Sequence, residues 1–87
     1  MIKKVFAVQD VVAKVYGSPM LFKHVGEATR DFGDAVKNPK TMISAHPEDY
    51  RLYCLGEFDD EKGLFITHDP EMVCNAIDFV PSSVDKK

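Results

Sequence analysis

The run His46-Pro47-Glu48-Asp49-Tyr50-Arg51-Leu52-Tyr53-Cys54-Leu55-Gly56-Glu57-Phe58-Asp59-Asp60-Glu61-Lys62-Gly63 constrains the fold more than any other stretch of this chain. Pro47 disfavours the helical region at His46, so the chain arrives extended, bends over Glu48-Asp49 and enters a segment rich in aromatic and β-favouring residues. From Tyr50 to Phe58, Leu52, Cys54 and Phe58 alternate against Tyr53 and Leu55, the period of a strand. The acidic loop Asp59-Asp60-Glu61-Lys62-Gly63 ends in a glycine able to take a positive φ, and returns the chain as Leu64-Phe65-Ile66-Thr67. A β-hairpin with a central first strand is therefore expected.

The flanking segments supply what the hairpin packs against. Ile2 to Gln9 is apolar on both sides at its centre, Val5 and Ala7 on one and Phe6 and Val8 on the other, as in an interior strand beside Tyr50 to Phe58. Asp10 to Phe22, broken by Gly17-Ser18-Pro19, reads as a long loop or a loose edge hairpin. Gly26 to Asn38 is a helix: Val25, Ala28, Phe32, Ala35 and Val36 share one face, Glu27, Arg30, Asp31, Asp34 and Lys37 the other, and Asn38-Pro39 stops it. Gly33 weakens that helix by roughly 1 kcal/mol relative to alanine, which suggests a close approach to the sheet. Lys40 to Ala45 reads as a connector. Asp69-Pro70-Glu71 resembles a helix start and Met72, Val73, Ala76, Ile77 and Val80 fit a helical face, although Val73, Asn75, Ile77 and Phe79 also alternate; a short helix is preferred. The expected fold class is α+β, a small antiparallel sheet packed against one main helix with a short second helix near the C-terminus. Residues 1–80 form one globular domain and 81–87 a polar, frayed tail.

Composition narrows the function classes. With 87 residues, the chain buries roughly 60 to 65% of its unfolded surface, so a second copy covering apolar area would help, and a homo-oligomer is expected. The formal charge of -3 gives no long-range attraction to nucleic acid or to an anionic membrane, so any nucleic-acid contact must use a local basic patch. Two distant cysteines, Cys54 and Cys74, make no disulfide framework and no ligand-like spacing. The apolar start is interrupted at Gln9-Asp10 and no run approaches the roughly 20 residues of a membrane span, so a cytosolic chain without membrane partner is expected.

Several clusters could carry chemistry. His46, Glu48 and Asp49 combine an imidazole with two carboxylates, but match no ligand pattern and read as turn residues. Asp59-Asp60-Glu61 is shorter than a calcium loop, and Cys54, Cys74, His24 and His68 include no paired spacing for zinc, so neither metal nor cofactor is expected. No nucleophile comes with a base and an oxyanion partner, and a non-enzymatic protein is expected. Single-stranded nucleic acid is the more concrete option: Lys3, Lys4, Lys14, Lys23, Arg30 and Arg51 are interspersed with Tyr16, Phe22 and Tyr53, and stacking rings flanked by cations hold single strands. The candidate DNA-binding residues are Lys14, Tyr16, Lys23, Arg30, Arg51 and Tyr53.

Four blocks carry a family resemblance: Ile2-Lys3-Lys4-Val5-Phe6-Ala7-Val8 with Asp10, Ala28-Thr29-Arg30-Asp31-Phe32-Gly33-Asp34-Ala35-Val36, His46-Pro47-Glu48-Asp49-Tyr50, and Gly56-Glu57-Phe58-Asp59-Asp60. Together they resemble the small non-structural protein of gokushoviruses, single-stranded-DNA bacteriophages of the Microviridae. The resemblance runs to about Ile77 and departs between Val11 and Met20. It implies an accessory protein of viral DNA replication or genome packaging in the host bacterial cytoplasm, and brings no catalytic residues. Direct binding of single-stranded DNA is one reading; the alternative is an interaction module, a homodimer that binds a phage or host replication or packaging protein without touching DNA.

Overall fold

The computed structural model describes residues 1–80; the expected tail, 81–87, lies outside them. Strand β1 (Ile2–Asp10) is followed by the short β2 (Val15–Tyr16) and β3 (Met20–Phe22), helix α1 (Val25–Lys37) and a one-turn α2 (Met42–Ala45). A 3-10 turn (Pro47–Asp49) leads into β4 (Tyr50–Asp59), β5 (Leu64–Asn75) and a second 3-10 turn (Ala76–Phe79). The strands make one antiparallel sheet in the order β2-β1-β4-β5, with β3 beside β1 farther along the edge that β2 also occupies. The α+β class is as expected. The sheet is larger than the small one anticipated, because the segment after β1 contributes two edge strands and β5 runs for 12 residues.

The helix face of the sheet holds the core. Phe6 and Leu52 have no exposed surface, and Ala28, Phe32 and Val36 of α1 close over them together with Ala76. Full burial of a leucine or phenylalanine contributes about 1.5–3 kcal/mol, so these few side chains outweigh the helix's own weak propensity. Phe22 meets Phe6 edge-on at 6.0 Å, which ties the edge strand β3 to the same core. The Thr41 hydroxyl donates to the Ala35 carbonyl (2.7 Å) and accepts from the Ser44 amide (3.0 Å), so one side chain joins the end of α1 to the start of α2. The connector expected over Lys40 to Ala45 is thus partly helical.

Two glycines are placed by close approach. Gly33 faces the ring of Phe79, where an added Cβ would lie 2.9 Å from two ring carbons. The approach inferred from the sequence is therefore to the C-terminal turn and not to the sheet, and Phe79 also packs edge-on against Phe32 at 6.1 Å. Gly56 has φ 149°, and a Cβ there would run into the Ile66 carbonyl and stand 2.8 Å from the Thr67 Cα. It sits where β4 carries one extra residue, Leu55, between the pairs Val5–Gly56 and Phe6–Cys54.

That bulge changes which face each residue serves. Opposed residues of antiparallel strands share a face, so Leu52 (opposite Val8) and Cys54 (opposite Phe6) point to the helix. Phe58, opposite Lys3, shares the other face with Tyr53, opposite Ala7. The simple alternation expected for Phe58 fails because the extra residue shifts the phase by one. The helix expected from Asp69 onward also fails. Residues 68–75 continue β5, Asn75 and Cys74 pairing with Arg51 and Leu52, and only Ala76–Phe79 turns. The buried Leu52 row needs a neighbour on this side, and Val73 and Cys74 supply it. Pro70 is accommodated because β5 is an edge strand and its register slips between Cys54/Glu71 and Gly56/Thr67.

Core packing stops partway along the strands. Ile2–Lys4, Glu57–Asp59 and Leu64–Thr67 contribute nothing to the α1 core, and every residue from Leu64 to Met72 is exposed. This three-stranded end forms an arm. It makes the molecule 53 × 25 × 21 Å, with a radius of gyration of 14.1 Å against about 12 Å for a compact chain of this length.

Three substitutions test this packing by thermal and urea unfolding. Phe32→Ala should cost about 3–5 kcal/mol, and an unchanged midpoint would contradict its burial. Gly33→Ala should be destabilising despite the roughly 1 kcal/mol gain in helix propensity, because Phe79 must move; a stabilised variant would refute the close approach. Gly56→Ala should disrupt the β4–β5 hairpin, seen as loss of amide exchange protection in that hairpin, whereas retained protection would show that the strand can shift cheaply.

Candidate nucleic-acid interface

All the helical elements that contribute to the core lie on the Phe6–Leu52 face. The opposite face is defined by Lys3, Val5, Ala7 and Gln9 of β1, which alternate with the core residues. Register then places Tyr16 and Arg51 on either side of Gln9, Tyr53 beside Ala7 with Met72 beyond it, and Phe58 and Phe65 beside Lys3. Leu21 lies opposite Val5 on the same side. The rings form two pairs: Tyr16 and Tyr53 at 5.5 Å and 76°, and Phe58 and Phe65 at 4.8 Å and 40°. Val5 and Ala7 are buried at the centre of this face with only neighbouring side chains to cover them, while Tyr16, Leu21, Phe65 and Met72 are exposed.

A tight turn positions Tyr16. The Asp10 carboxylate accepts from the amides of Val12 (3.0 Å) and Ala13 (3.1 Å), and the Lys14 amide donates to the Asp10 carbonyl (2.8 Å). Lys14 takes φ 63°, a left-handed conformation that non-glycine residues seldom adopt, and this reverses the chain into Val15–Tyr16. Val11 is tied to the 3-10 turn through the Asp49 carbonyl (2.9 Å), and Gly17 to β1 through the Val8 carbonyl (2.8 Å). Tyr50, opposite Asp10 on β1, has its phenol pushed above the ordinary value by desolvation and then by the Asp10 charge.

The six residues singled out in the sequence divide between the two sides of the sheet. Tyr16, Arg51 and Tyr53 come together on the uncovered face, with Lys14 exposed on the adjoining turn. Lys23 follows β3, its amide donating to the Glu27 carboxylate (3.1 Å), and Arg30 projects from α1 beside a surface hollow lined by Phe22, Glu27, Asp31 and Asp34. Those three carboxylates oppose a phosphate there. Two cations on the arm's first strand have partners: Lys3 lies 3.6 Å from Asp60 and Lys4 3.9 Å from Glu57. Phe58, Phe65 and Met72 were not identified from the sequence as members of this face. The signal that would have found them is strand register, which depends on the bulge at Leu55.

The remaining clusters are less organised. His46, Glu48 and Asp49 do bring one ligand atom each within 4.8 Å of one another around the Pro47 turn, largely exposed to solvent. Cys54 and Cys74 are free, half-buried thiols, and burial followed by the charge of Asp78 raises the Cys74 pKa. At the arm tip the Met1 amino group, 2.7 Å from Asp60, holds that carboxyl below its ordinary value, with Lys3 adding to the effect. Among the described residues no helix is long and apolar enough to cross a membrane.

These features define an α+β domain with one face sealed by a helix and the other an open aromatic sheet. A family model described as phage ORF5 protein matches residues 3–79, and the chain belongs to that phage family. No curated protein and no solved structure gives a significant match.

The pKa shifts set a pH dependence. Tyr50 and Cys74 both have raised folded-state values, so their contribution is complete below the unfolded values of 10.0 and 9.0 and is lost as pH rises through the higher folded ones. Asp60 is depressed, so its contribution is present above 3.8 and is lost as pH falls through its folded value. The Met1 amino group, its pKa raised from 8.0 by the same Asp60 contact, adds a contribution lost as pH climbs past that value, so urea melts should show a stability plateau through neutral pH, a decline on the alkaline side and another at acidic pH. A fold that gains stability above pH 9 would contradict the assignments for Tyr50 and Cys74.

Proposed function

We propose that this phage protein acts in the viral DNA stage as a non-enzymatic accessory that holds single-stranded DNA on the uncovered sheet face. The observation that carries the reading is the arrangement of Tyr16, Tyr53, Phe58 and Phe65 on one face, with Arg51 among them and Lys14 on the adjoining turn. Aromatic platforms accept any base, each stacked base contributing about 1–3 kcal/mol. The resemblance to the gokushovirus non-structural protein, in the His46–Tyr50 and Gly56–Asp60 blocks, supports a role in replication or packaging of a single-stranded genome in the host bacterial cytoplasm. The net charge of -3 favours the competing reading, a protein-interaction module that engages a phage or host replication protein.

Fluorescence anisotropy with labelled single-stranded and duplex oligonucleotides across a salt series separates the two. With Arg51 and Lys14 as the principal phosphate contacts, log affinity should fall with log salt at a slope of about -1.4, far shallower than for a basic binder. Tyr53→Ala should weaken binding at every salt concentration. Arg51→Glu should weaken it and flatten the slope, while Arg30→Glu, on the other side of the sheet, should leave it unchanged. Absence of binding to either DNA form at low salt would remove this reading and leave the interaction module.

A further inference from the structure

We infer that the outer edge of β5 from Leu64 to Thr67 is an interface for a second copy of this chain, the two β5 strands pairing antiparallel about a two-fold axis. β5 ends the sheet, so its outer backbone groups have no strand to pair with among the described residues. An open edge invites pairing, and chains that remain single blunt it with charge, proline or irregularity. Here the protection is confined to one half. His68, Asp69, Pro70 and Glu71 place charge, a missing amide and a register slip in the middle of the strand. Leu64, Phe65, Ile66 and Thr67 have none of these devices, and the first three are 55%, 62% and 56% exposed.

A second copy fits this segment better than an unrelated partner for two reasons. The stretch 64–67 carries no charge, so two copies approach without repulsion, and an antiparallel strand pair is self-complementary about a two-fold axis. Area points the same way. Leu64, Phe65, Ile66 and Thr67 are all exposed, so pairing the two edges removes contiguous apolar surface from water on both copies at once. A two-fold axis perpendicular to the sheet keeps both aromatic faces on the same side. The inference does not depend on DNA binding.

Sedimentation velocity without nucleic acid, from low to high micromolar protein, should show the wild-type chain moving to twice its 9.8 kDa mass as concentration rises. Ile66→Lys, which adds charge on the exposed edge and away from the aromatic face, should sediment at the single-chain mass with an unchanged circular dichroism spectrum. Hydrogen exchange of the wild-type protein gives an independent measure: amides in 64–67 should gain protection with protein concentration. A monomeric boundary throughout overturns the proposal. So does a dimer whose 64–67 amides stay unprotected, or protection there that appears only when a single-stranded oligonucleotide is added.

Discussion

The pairing of β1 with β4 is the interaction on which the rest of the molecule depends. It runs from Ile2–Asp59 to Asp10–Tyr50, and every other strand attaches to one of these two. Because both strands are apolar on both sides at their centre, the pair presents two faces that water disfavours. Helix α1 covers one, burying Phe6 and Leu52. The other is only partly covered, by its own rings and by Leu21, which leaves apolar surface available for a ligand.

The extra residue at Leu55 has a larger effect than its size suggests. Without it, Phe58 would follow the phase of Leu52 and Cys54 and point to the helix side of the arm, where α1 does not reach. With it, Phe58 joins Tyr53 and pairs with Phe65. Gly56 makes this possible, since the backbone of β5 at Ile66–Thr67 passes where a side chain would otherwise stand. One glycine thus sets both the path of the hairpin and the composition of the open face.

Electrostatics restrain what that face can hold. The acidic arm tip neutralises the nearest lysine and the carboxylates of α1 surround Arg30, while Arg51 and Lys14 stand at the Tyr16 end of the open face. A ligand recognised there must gain more from stacking and apolar contact than from charge. Unpaired bases meet that requirement better than a duplex, whose phosphates face outward and whose bases are enclosed.

The elements set by local chemistry were legible in the sequence. Helix α1 followed from the spacing of Ala28, Phe32 and Val36 and from Asn38-Pro39; the turn before β4 followed from Pro47; the hairpin loop followed from Gly63, which takes φ 68°. Tyr16, Arg51 and Tyr53 were singled out for their chemistry, but that they share one face could not be read from the sequence. What the sequence alone could not decide was register and long-range partnership. Asp69-Pro70-Glu71 carries the local marks of a helix start, yet the segment is strand, because the Leu52 row needed a neighbour and only β5 could provide it. Likewise, Arg30 looks equivalent to Arg51 along the chain, and only the tertiary structure puts it on α1, on the other side of the sheet, among Glu27, Asp31 and Asp34. Local propensity acts over a few residues, whereas a face of a sheet is assembled from strands far apart in sequence, and a single bulge is enough to reassign its members.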